Sequence, residues 1–218
     1  MGTLPRAVCA LVLLLPLPSA LAGDGEAFAL RPPEITFAQP ETETVDPVIG
    51  APPGPRHQPY GTDGSRWLTF SGLAAYDFSR ATDVGVRAGW SQFLAQDVEF
   101  MVEANLWYFD QRGDNAFGIN PAMAFRWHFV NEQPLSVYTE LGIGMLFATS
   151  AVPEGGTDVD FTPRVGLGFT YELDADSGLR FDGGLRWHHI SNARITGDGK
   201  NPSRDAVLWY AGVVIPFR

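Results

Sequence analysis

The sequence predicts an all-β fold: an eight-stranded antiparallel transmembrane β-barrel whose polar lumen is filled by side chains. Three observations predict it. From Arg66 onward, segments of about ten residues or more alternate apolar and polar side chains between clusters of turn residues. The polar positions carry charges and glycines, while the apolar positions are large and aromatic. The segments also outrun the five or six residues usual for a strand of a soluble protein.

The N-terminus comes first in the chain. In residues 1–22, Arg6 supplies a positive start, Ala7 to Leu17 a short apolar core, and Ala20-Leu21-Ala22 a small-x-small cleavage site. This is read as a signal peptide, so the mature chain is exported. The single cysteine, Cys9, lies inside it, which leaves no disulfide, thiol nucleophile or cysteine metal site after cleavage. Residues 23–65 carry eight prolines between Pro32 and Pro59 and no sustained period, and are read as a poorly ordered periplasmic tail.

Eight segments then fill 66–218: Trp67–Phe78, Val84–Leu94, Val98–Phe109, Ala116–Val130, Leu135–Ala148, Val159–Leu173, Leu179–Ala193 and Asp205–Phe217. In the third, Val98, Phe100, Val102, Ala104 and Leu106 share one face, with Glu99, Glu103 and Asn105 on the other. In the seventh, Leu179, Phe181, Leu185 and Trp187 oppose Arg180, Asp182, Gly184 and Arg186. A soluble sandwich would turn the apolar faces inward and the charges to water. The polar faces are too poor in lysine and too rich in glycine for that. A barrel in lipid fits instead, with Arg87, Glu99, Glu103, Arg126, Glu140, Arg164, Asp182 and Arg186 neutralising one another inside. Closure removes the unpaired edges that lipid penalises. With the Phe217 terminus and the signal peptide, this places the chain in an outer membrane.

The net charge of −10 argues against nucleic-acid partners, because an acidic chain gains nothing from counterion release. His128 and His57 lack ligand-spaced partners for zinc. Asp174, Asp176 and Gly178 read as a turn rather than a calcium loop. No cofactor or metal is implied.

The stretch His188 to Asp205 holds a histidine and a serine two residues apart, an asparagine beside the serine, and an acid after a polar loop. Those are the parts of an acyl-transfer site. Strand parity turns His189, Ser191 and Asp205 to the lipid side and His188, Ile190 and Asn192 to the lumen. With the tail in the periplasm, the seventh strand ends and the eighth begins at the cell surface. The trio is therefore expected at the outer-leaflet interface, where polar groups cost least.

The run His189-Ile190-Ser191-Asn192-Ala193, on the penultimate strand of a small barrel, resembles the HxSNA motif of the lipid A 3-O-deacylase (PagL-like) family of outer-membrane acyloxyacyl hydrolases. The resemblance covers roughly Arg66 to the end. It implies Ser191 as nucleophile, His189 as general base and Asp205 as the acid that orients it. It also implies an oxyanion site around Asn192, Ala193 and Arg194. Lipid A of lipopolysaccharide in the outer leaflet would be the substrate. Two departures stand out: Asp205 replaces a glutamate, and Arg194 stands where glycine is usual. Arg194, Lys200 and Arg204 outnumber Asp198 in the loop and can hold lipid A phosphates, solvated loop charges being the plain alternative. A non-catalytic structural or adhesive barrel and a small-molecule conduit remain open beside the hydrolase.

Overall fold

The computed structural model describes residues 57–77 and 81–217. Residues 1–56, where a signal peptide and most of a proline-rich tail are expected, lie outside the described residues. Nine strands follow in order: β1 (Arg66–Asp77), β2 (Thr82–Ala95), β3 (Val98–Asp110), β4 (Ala116–Glu132), β5 (Leu135–Ala148), the short β6 (Val159–Phe161), β7 (Arg164–Asp174), β8 (Leu179–Ile190) and β9 (Arg204–Pro216). Eight of them close a barrel, each pairing antiparallel with its neighbours, and β1 pairs with β9 to complete the ring. β6 is an appendage on the upper part of β5.

The sixth sequence segment is thus split rather than continuous. Pro163 has no N–H to donate, and the ladder breaks at Thr162-Pro163. The seventh segment also ends sooner than expected. β8 stops at Ile190, because Ala193 and Arg194 take left-handed conformations with φ of 52° and 64°.

Burial alternates along each strand with the polarity inverted relative to a soluble protein. Arg87, Glu99, Arg126, Glu140, Arg164, Asp182 and Arg186 are buried, while Phe117, Leu141, Leu167 and Trp127 stand exposed on the outer wall. That inversion rules out the sandwich. Three arginines converge on Glu140, with Arg126 Nε, Arg164 Nε and Arg186 Nε each 2.9 Å from its oxygens. Arg87 reaches Asp182 at 2.7 Å, and Asp182 also accepts from the Tyr138 hydroxyl at 2.5 Å. The lumen glycines have a steric reason. A Cβ at Gly168 or Gly184 would collide with the Tyr210 hydroxyl.

Three short connections, 96–97, 133–134 and 175–178, share one end with the barrel's first and last residues, and the longer connections 111–115 and 191–203 lie at the other. Short turns mark the periplasmic rim of such barrels, and long loops the outer one. At the periplasmic rim, residues 57–65 are packed rather than extended away. Tyr60 is buried against Trp67, Phe93 and His128 at ring separations of 4.9, 5.1 and 5.4 Å, with Arg180 stacked 4.4 Å over its ring.

Candidate active site at the outer rim

The site forms where β8 runs out. His189 donates its backbone N–H to the Pro163 carbonyl, and Ser191 exchanges both backbone hydrogen bonds with Phe161. The upper end of β8 is therefore pinned by the irregular stretch that Pro163 creates. β9 begins alongside, its Arg204 turned inward onto Asp77 at 2.9 Å and Asp83 at 2.5 Å. That anchor rules out Arg204 as a holder of substrate phosphates, since its guanidinium is buried inside the barrel.

Parity places the predicted residues as expected. Arg186, His188 and Ile190 are buried on the lumen side, and Trp187, His189 and Asp205 face out. His188 stacks on Trp107 inside the barrel. His189 and Asp205 are directly opposite in the β8–β9 ladder, and Nδ1 of the imidazole lies 2.8 Å from Oδ1 of the carboxylate. The same oxygen accepts the indole N–H of Trp187 at 2.9 Å. The indole and imidazole rings stack 5.4 Å apart and 29° from parallel.

Ser191 follows His189 by one pleat repeat and lies on the same outward face. Among the described residues its hydroxyl makes no hydrogen bond to His189. The His189–Asp205 contact is thus closed and the Ser191–His189 contact open.

The three residues expected around the oxyanion differ in how their polar groups are used. The Asn192 side chain is buried beneath the loop. Its Nδ2 donates to Thr196 Oγ1 at 2.8 Å and to the Lys200 carbonyl at 2.6 Å, while its Oδ1 accepts the Arg194 N–H at 2.8 Å. The Asn192 N–H itself donates to Asn201 Oδ1 at 3.0 Å. Asn192 and the Arg194 amide are thus committed to folding the loop. Of the three amides, only Ala193 N–H has no partner among the described residues, and Ala193 is exposed. No spacing in the sequence disclosed this division of labour.

Below the trio, an apolar groove of about 1010 Å³ runs down the outer wall between β5, β7, β8 and β9, bordered by Val137, Val165, Leu167, Phe169, Leu185 and Trp187. Above it, a polar cleft of about 370 Å³ lies between the two long loops, with Thr149, Ser150, Thr157, Thr196 and Lys200 around it. Among the described residues no three His, Cys, Asp or Glu side chains group to hold a metal ion.

The family model for lipid A 3-O-deacylase (PagL) matches residues 74–213, from β1 to β9. The chain belongs to that family. It is a barrel of the outer membrane, and the PagL family places it among the lipid A deacylases. Solved structures agree on the fold. The outer membrane enzyme PagL aligns with a TM-score of 0.53 at 18% identity, over 68% of this chain and 99% of PagL. Neisserial surface protein A aligns with a TM-score of 0.51 at 15% identity, over 70% of this chain and 96% of that one. No curated protein sequence matches. Sequence reasoning missed Trp187 as a member of the site. It appeared only as one more aromatic of the outer wall, although its place two residues before His189 on the same face was the available signal.

Proposed function

We propose that this protein is a serine esterase that removes the acyl chain esterified at the 3-O position of lipid A. The observation that carries the reading is the 2.8 Å contact between His189 Nδ1 and Asp205 on the outward wall at the outer rim. A carboxylate there holds the Nδ1–H tautomer and leaves Nε2 basic. Ser191, on the same face, is the group that nitrogen deprotonates.

The chemistry follows. An acyl chain lies in the apolar groove, so its ester bond sits at the groove's upper end beside Ser191. Nε2 takes the hydroxyl proton as Oγ attacks the ester carbonyl. The tetrahedral oxyanion faces the Ala193 N–H, a donor of the kind worth about 10²–10³ in rate. Collapse breaks the ester C–O bond, and the imidazolium returns its proton to the departing sugar oxygen. Water then enters by the same base and releases the fatty acid from Ser191. The substrate arrives sideways from the leaflet, so no opening in the lumen is needed.

The test is Ser191→Ala. Mass spectrometry of lipid A from cells carrying the variant should lack the deacylated species. The variant should still fold, judged by the heat-dependent gel shift of an intact barrel. An unchanged lipid A profile would sink the esterase reading and leave a structural or adhesive barrel.

A further inference from the structure

We propose that Trp187 is a positioning residue of this site, fixing both Asp205 and His189 through one side chain. The inference rests on the esterase reading above.

Asp205 needs an anchor. Its side chain is 57% exposed, and a polar contact that open to solvent holds its geometry weakly on its own. A carboxylate at the second residue of a strand can rotate away from the imidazole at little cost. The indole N–H removes that freedom by donating to the same Oδ1 that receives His189 Nδ1, at 2.9 Å and 2.8 Å respectively. A tryptophan at a lipid interface would ordinarily turn its N–H to water or headgroups. Here the N–H is aimed along the wall at the carboxylate.

The ring does the second half. It stacks on the imidazole with ring centroids 5.4 Å apart and planes 29° from parallel, which holds the ring plane. With Nδ1 directed at Asp205, Nε2 must point from the opposite edge of the ring, away from the acid. Trp187 also stands opposite Val165 in the β7–β8 ladder and borders the apolar groove. An acyl chain filling the groove presses on the indole that locks the acid and base. Chain binding and the readiness of the base are thereby joined in one residue.

The experiment measures fatty-acid release from purified lipid A by the detergent-solubilised full chain, for Trp187→Phe, Asp205→Glu and the double variant. Phe keeps the ring and loses the N–H. Trp187→Phe is expected to lower kcat about ten- to hundredfold, the range of one lost hydrogen bond to a charged group, with KM little changed. Glutamate is one methylene longer and reaches the imidazole from more rotamers. Asp205→Glu alone is the reference for the double variant: with the longer acid in place, Trp187→Phe should cost far less of kcat, relative to Asp205→Glu, than it costs in the parent. An unaltered kcat in Trp187→Phe overturns the proposal. So does a loss that the second change leaves untouched, because the indole would then act elsewhere. Ser191→Ala, assayed alongside, separates the two readings. If it keeps activity, the esterase mechanism falls. If it is inactive while Trp187→Phe is normal, only the role of Trp187 falls. The heat-dependent gel shift excludes misfolding in each case.

Discussion

Asp205 stands directly across the β8–β9 ladder from His189, and this register brings a short carboxylate within hydrogen-bonding range of the imidazole. Side chains directly opposite on neighbouring strands start about 4.5–5.5 Å apart at Cβ. A short carboxylate then spans the gap, and here it lies 2.8 Å from Nδ1.

The first prediction concerns that pair. Asp205→Asn keeps the shape but offers an amide that can present its N–H₂ to Nδ1. This favours the tautomer with the proton on Nε2, where the base should be. Deacylation should fall about 10²–10⁴-fold with the barrel intact, the scale of a lost base or a wrong tautomer. Rates on purified lipid A check it. A loss under about threefold would mean that the acid does not set the state of His189.

Asn192 gives the second. Its side chain makes hydrogen bonds to Thr196, Lys200 and the Arg194 amide, and it is 3% exposed. Asn192→Ala leaves those groups unpaired, at about 1–3 kcal/mol for each one that water cannot reach. The expected result is a loosened loop, with amide exchange faster across residues 194–201 and β1 to β5 unaffected. Activity should fall because the Ala193 N–H loses its place. Normal exchange combined with lost activity would instead assign the Asn192 amide to substrate.

The barrel was legible because its rule is local. Period-2 alternation with charges on one face and aromatics on the other, repeated along β1 to β5 and β7 to β9, survives any error in turn placement. The outward facing of His189, Ser191 and Asp205 followed from counting by twos. The features that escaped depend on distant partners. Pro163 was visible, but the segment around it alternated well enough to read as one strand. Odd-numbered residues face the same way on both sides of the break. Tyr60 lay in a proline-rich stretch with no period, and only Phe93, His128 and Arg180, far along the chain, give it a place. Asn192 resembled an oxyanion donor because it adjoins the serine. Its real partners lie four and eight residues on, in a loop whose path no spacing encodes.

The third prediction tests the lumen. Glu140 accepts from three arginines at 2.9 Å each, in a core of four arginines and four acids that includes Arg87, Glu99, Glu103 and Asp182. Glu140→Ala leaves buried guanidiniums without their shared acid. Breaking such a cluster from one side costs about 3–5 kcal/mol. Urea unfolding of the barrel in lipid vesicles should show a loss of that order, and Glu140→Gln a smaller one. A change under about 0.5 kcal/mol would mean that the network does not need its centre.

The last prediction turns on Asp160, in β6 within the outer loop. Its carboxyl is buried, held by Thr157 Oγ1 at 2.8 Å, and its second oxygen has no partner among the described residues. Burial raises its pKa from the usual carboxylate range to about 6. The Thr157 hydrogen bond only partly opposes this, and Asp158 adds to the rise. An acid raised on folding binds its proton more tightly in the folded loop than in the open one. Its stabilising effect is therefore complete below about pH 4, the ordinary aspartate pKa, and is lost as pH climbs through 6. β6 pairs with β5 and, through Phe161, exchanges backbone hydrogen bonds with Ser191. The backbone around Ser191 should accordingly be held more firmly at pH 5 than at pH 7. Amide exchange at Phe161 and Ser191, corrected for the intrinsic rate, should show protection falling over that interval. Asp160→Asn should remove the pH dependence and retain the Thr157 contact. If the variant shows the same fall as the parent, the titrating group lies elsewhere and Asp160 has no part in holding Ser191.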